Sequence, residues 1–142
     1  MVTINQNVYT VNTGGNAVQT GTIVTPENLD AYLLNIMAQY GSDPQSIFNY
    51  CRQFPYKYRE KQDVTSMACR MLNLRSGACW DYAALCYKML RLAGYNCQIV
   101  VGRGAVYSEH NWILIEIAPG VWRHMDPERK GYYIYMLTDA QL

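Results

Sequence analysis

The chain has 142 residues, half of them hydrophobic, enough for one domain with a real apolar core. Its 12 basic residues nearly balance 11 acidic ones, for a net charge of +1, and no basic stripe runs along it, which removes the electrostatic basis for a nucleic-acid partner. No apolar run approaches the ~18 residues that a membrane span requires. No basic stretch followed by an apolar one opens the sequence either, so an export signal is expected to lie outside this chain if the protein is exported.

The first charged residue is Glu27. The segment before it is rich in Thr, Asn, Gln, Gly and Val, alternates weakly at Val2 and Ile4, and is broken by Gly14-Gly15. Residues 1–24 therefore read as an uncharged linker or N-terminal arm with room for one short strand, and residues 25–142 as the folded domain. The composition is similar to spacers in bacterial surface proteins, which implies an extracellular or cell-surface setting within a longer, secreted protein.

Helical periodicity begins at Thr25-Pro26, a capping residue followed by a first-turn proline. Leu29, Tyr32, Leu33, Ile36, Met37 and Tyr40 then recur at helical spacing up to Gly41. A second helix opens at Asp43-Pro44, aligns Ile47, Phe48 and Cys51, and stops before Pro55. A third runs from about Asp63 with Val64, Met67, Ala68, Met71 and Leu72 as its stripe. The fourth, Cys79 to about Ala93, is apolar almost all round, as a buried central helix should be. Cys79, Ala83, Cys86 and Leu90 fall on one stripe of mostly small side chains that would let the helix lie close to a sheet. Gly94 closes it.

The remainder alternates with the period of strands: Cys97–Val101, His110–Ile117, Val121–Asp126 and Tyr132–Leu137, with Pro119-Gly120 as a turn. Ile113, Ile115 and Ile117 share one face of the second strand, and His110, Trp112, Leu114 and Glu116 the other. The predicted fold class is α+β, helices first and then an antiparallel sheet on which the central helix packs.

Five cysteines form no Cys-x-x-Cys pair, which argues against a zinc ribbon or a thioredoxin-type motif. Cys79 and Cys86 stand two helical turns apart, about 10 Å along the axis, too far for a disulfide. Cys51, Cys69, Cys86 and Cys97 read as small buried hydrophobes. Cys79 differs because it sits on the first turn of its helix, where unpaired N–H groups and the positive end of the dipole stabilise a thiolate. Gly77 permits a tight turn just before it and leaves room for an approaching substrate. A nucleophilic cysteine needs a base and an orienting acid, and the chain offers His110 and Asp126, with His124 as a rival base.

The order Gly77-x-Cys79-Trp80-Asp81-Tyr82-Ala83, then Ala93-Gly94-Tyr95 with an apolar run to Gly102, then His110-x-Trp112, Trp122 and Asp126-Pro127, resembles the transglutaminase-like superfamily. The likeness covers roughly Ser46 to Asp126 and implies a papain-like fold with a Cys79-His110-Asp126 triad. It ranks His110 above His124, which lies nearer the acid in sequence than the family's histidine does. It also implies that Tyr56-Lys57-Tyr58 flanks the substrate groove and that tryptophans wall an acyl channel. Trp112 is the best candidate for that role, with Trp80 also adjoining the site, although Trp80, Trp112 and Trp122 equally suit a core. Gly102-Arg103-Gly104 suits a flexible cleft rim better than a phosphate cradle.

Register decides whether this triad can form. With a three-residue loop, Ala118-Pro119-Gly120, Asp126 falls opposite Trp112 and on the face of His110. A two-residue loop, Pro119-Gly120 alone, sends it to the isoleucine face unless a bulge compensates. His110 is expected on the face met by the start of the Cys79 helix, with the isoleucines turned toward other helices or a partner chain.

The chemistry implied is acyl transfer on amide bonds of a protein or peptide substrate through a thioester on Cys79, resolved by water or by an amine. No cofactor or metal is expected, and no Asp-x-Asp-x-Asp-Gly calcium loop is present. Two alternatives stand beside it. One is a catalytically inactive binding or surface module of the same fold. The other is an arylamine N-acetyltransferase-like enzyme, whose Arg-x-Gly-x-Cys motif overlaps Arg75-Ser76-Gly77-Ala78-Cys79, although that family is about twice as long.

Overall fold

The computed structural model describes residues 22–103, 109–129 and 133–142. Residues 1–21 of the arm, Gly104 of the glycine-flanked arginine and Tyr132, the expected start of the last strand, lie outside them. Four helices, α1 (Leu29–Tyr40), α2 (Pro44–Arg52), α3 (Val64–Leu74) and α4 (Cys79–Leu92), precede four strands, β1 (Cys97–Gly102), β2 (His110–Ala118), β3 (Val121–Asp126) and β4 (Ile134–Leu137). A short 3-10 turn, Asp139–Gln141, follows. The sheet is antiparallel in the order β1-β2-β3-β4. The architecture is α+β, as expected.

Local chemistry sets most boundaries. The carboxylates of Asp43 and Asp63 cap α2 and α3 by accepting from the N–H groups of Ser46 and Ser66. The helix expected from Thr25 begins a turn later. Thr25 N–H donates to Asn28 Oδ1 (2.9 Å) and Asn28 N–H to Thr25 Oγ1 (3.3 Å), which closes a separate turn and leaves Asn28 at the capping position of α1. Just before it, Val24 is buried, and its N–H and C=O both bond the Asn73 amide at 2.8 Å, which pins the entering chain to α3.

α4 is the hub. It touches α1, α2, α3, β1 and β2, and Tyr82, Ala83, Ala84, Leu85, Cys86 and Leu90 are wholly buried. Cys51, Cys69, Cys86 and Cys97 are buried free thiols, as the sequence predicts. Burial pushes Cys97 up to about 12 and raises Cys69, while Cys86 is held up by its hydrogen bond to Cys51 and then by burial.

The β2–β3 hairpin takes the compensated route. The turn is the two-residue Pro119-Gly120, with Ala118 opposite Val121 and Gly120 at φ 73°, but a bulge falls between Glu116 and Ala118. Ile117 is the extra residue, and beyond it Glu116 faces Trp122 and Ile113 faces Met125. One step past Met125, Asp126 shares the face of Trp112 and His110. The bulge also corrects the expected isoleucine face: Ile117, unpaired, is exposed, whereas Ile113 and Ile115 are buried. Those two and Met125 share one core with Leu85, Cys86, Met89 and Leu90. The Cys79 helix itself therefore covers the isoleucine face, contrary to expectation. His110 is the first residue of β2 and Cys79 the first of α4, so the two meet at the ends of their elements rather than across a shared face.

Candidate active site

The loop that delivers Cys79 is tied down on every side. Arg75 ends α3 in the left-handed conformation at φ 61°. Residues 55–57 then run beside residue 77: Tyr56 and Gly77 form a parallel bridge, Lys57 N–H donates to Gly77 O (2.8 Å) and Gly77 N–H to Pro55 O (3.4 Å). Arg59 Nη2 donates to Ser76 Oγ at 2.8 Å, and Trp80 Nε1 donates to Arg59 O at 3.0 Å, with Tyr58 edge-on to the indole. Ala78 at the cap of α4 has no side-chain acceptor, and Asp81 supplies one by accepting from Ala78 N–H at 2.8 Å. Arg70 bonds the other Asp81 oxygen from two nitrogens, at 2.7 and 3.0 Å. Burial nonetheless holds the Asp81 carboxyl above its usual range, against the pull of that guanidinium. A Cβ on Gly77 would lie 2.5 Å from Asp81 Cβ. The residue must be glycine because the capping carboxylate fills the space beside it.

Cys79 Sγ, a ring nitrogen of His110 and a carboxylate oxygen of Glu128 all lie within 4.8 Å of one another. His110 Nε2 stands 2.6 Å from Asp126 Oδ2, and His110 Nδ1 stands 3.6 Å from Glu128 Oε1. Asp126 Oδ1 accepts from Glu128 N–H (3.0 Å), and the Glu128 carbonyl accepts from Arg52 Nη1 of α2 (2.8 Å). The turn after β3 is therefore pinned to the end of α2. The His110 ring stacks on Trp112 at 5.6 Å between centroids and 28° between planes. Trp112 packs in turn over Gly102 of β1, where a Cβ would meet the indole at 2.5 Å.

Burial works to lower the His110 pKa, but the hydrogen bonds to Asp126 and Cys79 and the negative charge of both outweigh it and hold the imidazole up to about 10. At neutral pH the ring carries its proton and has a carboxylate on one nitrogen.

Of the residues singled out from sequence, the fold brings Cys79, His110 and Asp126 together, with Trp112 stacked on the imidazole and Trp80 and Gly77 in the loop and first turn that carry the thiol. His124 is elsewhere engaged. Its Nδ1 accepts from Trp112 Nε1 (3.0 Å) and its Nε2 meets Asp139 Oδ1 (2.6 Å). Glu128 escapes the sequence reading. It follows Pro127 in a turn, belongs to no periodic pattern, and reaches the site through an anchor on Arg52, 76 positions away.

Among known proteins, the family model of the transglutaminase-like superfamily matches residues 30–127. In solved structures, the chain is similar to the periplasmic domain of TgpA from Pseudomonas aeruginosa bound to ethylmercury, with 21% identity and a TM-score of 0.49 over 72% of this chain and 42% of that one. This chain thus spans less than half the length of that structure. No curated protein sequence matches it.

Proposed function

The chain belongs to the transglutaminase-like superfamily, and from that premise we propose that it catalyses cysteine-dependent acyl transfer on amide bonds of a protein or peptide. The observation that carries this reading is the convergence of Cys79 and His110 with the 2.6 Å bond from His110 to Asp126. In the reaction, the Cys79 thiolate attacks the amide carbonyl carbon and forms a C–S bond. The oxyanion is met by the N–H groups of Cys79 and Trp80, which lack acceptors inside α4 by helix geometry. His110, protonated at rest, gives its proton to the leaving amine as the C–N bond breaks. The neutral imidazole then takes a proton from water or an incoming amine, which attacks the thioester and frees Cys79. Asp126 keeps the ring in its productive orientation and stabilises its charged form throughout.

Water as acceptor makes the protein a peptidase or amidase, and an amine makes it a transglutaminase. Mass spectrometry of the protein incubated with a peptide library should reveal an acyl adduct on Cys79 that is absent from Cys79→Ala. A library that leaves Cys79 unmodified, while the protein remains folded, counts against the reading. One observation favours the second reading, a catalytically silent binding module: Cys79 is only 2% exposed, so a substrate must move neighbouring groups to reach it.

A further inference from the structure

The acyl-transfer mechanism uses Cys79, His110 and Asp126 and leaves Glu128 without a task. Yet Glu128 is 1% exposed and faces the same imidazole from the opposite side to Asp126. Here it lies among a thiol and an imidazole, three donors of different kinds within 4.8 Å of one another. In a tetrahedral zinc site with bonds of about 2.1 Å, two nitrogen or oxygen ligands stand roughly 3.4 Å apart. The Nδ1-to-Oε1 distance in this cluster is 3.6 Å, so that edge of the tetrahedron is nearly formed.

The surroundings complete the pattern. Asp126 Oδ2 engages Nε2 at 2.6 Å, which keeps a proton on that nitrogen and leaves Nδ1 as the one that gives up its proton to a metal. A carboxylate behind a ligating histidine is the usual outer support of a zinc site. Glu128 itself is anchored through its backbone, with its N–H on Asp126 and its C=O on Arg52. A set of one sulfur, one nitrogen and one oxygen suits a borderline-soft ion such as zinc and not the oxygen-seeking calcium or magnesium.

We propose that Cys79, His110 and Glu128 form a zinc site, with Sγ, Nδ1 and a Glu128 oxygen as ligands and water in the fourth position. On binding, Sγ and Nδ1 release the proton they share to solvent, and nothing is oxidised or reduced. The metal takes the nucleophile and its base at once, so it acts as a reversible inhibitor and not as a cofactor. The inhibition rests on the acyl-transfer reading, but the site does not.

The test is calorimetric titration of the chelator-treated full chain with zinc chloride, paired with cobalt(II) absorption and with iodoacetamide labelling read peptide by peptide. The expected result is one equivalent bound, a thiolate-to-cobalt charge-transfer band, and Cys79 shielded from iodoacetamide until a chelator is added. Cys79→Ala should lose the band, and His124→Ala should bind zinc like the unaltered protein. Glu128→Gln should weaken binding at least ~10-fold, since even outer supports of metal sites carry that much. If Glu128→Gln loses its native melting transition, Glu128→Asp takes its place under the same criterion. Zinc affinity unchanged by these substitutions, or no zinc-dependent shielding of Cys79, overturns the site. Zinc failure with an acyl-Cys79 adduct in hand removes this inference alone, whereas zinc binding without any adduct removes the acyl-transfer reading and keeps the site.

Discussion

Two histidines of this protein carry the same first partner and differ in the second. His110 and His124 each hold a carboxylate at 2.6 Å from Nε2, Asp126 for one and Asp139 for the other. On the far nitrogen, His110 faces Cys79 and Glu128, whereas His124 accepts the indole N–H of Trp112. Asp126 is buried, while the Asp139 side chain is 95% exposed. The first pair sits in a low-dielectric pocket with a nucleophile within reach. The second is a strut between the sheet and the C-terminal 3-10 turn. A histidine–aspartate bond is thus no site in itself, and what stands on the other nitrogen decides its use.

The sharpest way to break that comparison is to remove each imidazole in turn. His110→Ala should lower kcat/KM by roughly 10⁴-fold, the scale on which triad members act. His124→Ala should change it by no more than a few-fold and act on stability instead. Turnover of the peptide found by the acyl-adduct experiment measures both. The reverse ranking hands the role of base to His124.

The carboxylates come next. Asp126→Ala should cost less than His110→Ala, by roughly 10- to 100-fold, because it orients and stabilises the ring without moving the proton. Asp139→Ala should leave turnover within a few-fold. Equal losses from the two would mean that burial of the acid does not matter here.

The acid's neighbourhood also shows what a sequence can and cannot disclose. Alternation with a period of two puts Asp126 on the face of His110 or on the other, and nothing in between. The sequence therefore narrows the question to one residue, but it does not place the bulge, because Ile117 continues the apolar alternation of Ile113 and Ile115 and carries no glycine to flag a break. Cys79 was legible because capping and nucleophile activation both require the start of a helix. The capping role of Asp81 was half-legible, as an acid three residues past the cap, but its partner Arg70 comes from another helix. Glu128 depends wholly on tertiary anchoring, which no local pattern encodes. Thr25-Pro26 misled by one turn because Asn28 competes for the same backbone groups.

The protonation of His110 gives a milder effect. The folded value for His110 is about 10, above its ordinary 6.5. A raised value means that the imidazolium's contribution to stability is complete below about 6.5 and fades as pH climbs toward 10. Urea denaturation across that window should show the unaltered protein losing its advantage over His110→Ala as pH rises. An NMR titration should find the His110 midpoint lowered in Asp126→Asn. A gap that stays level or widens with pH would show that His110 is neutral in the folded protein.

The smallest effect tests whether the two histidines are independent at all, since Trp112 touches both: its ring stacks on His110 and its N–H donates to His124. Trp112→Phe keeps an aromatic face for the first contact and deletes the donor of the second. His124 Nδ1 is then left without its indole partner in a nearly buried ring, at a cost of about 1 kcal/mol, the low end for an unmet buried acceptor. Stacking on His110 survives, so turnover should fall by no more than about threefold, which corresponds to well under 1 kcal/mol of transition-state stabilisation. Chemical denaturation and turnover measured on the same preparation separate the two effects. A stability loss with turnover preserved keeps the strut and the candidate site as separate devices that share a wall. A fall in turnover as large as that of Asp126→Ala would instead make His110, Trp112 and His124 one coupled network, in which the position of the imidazole beside Cys79 depends on a hydrogen bond made on the far side of the indole.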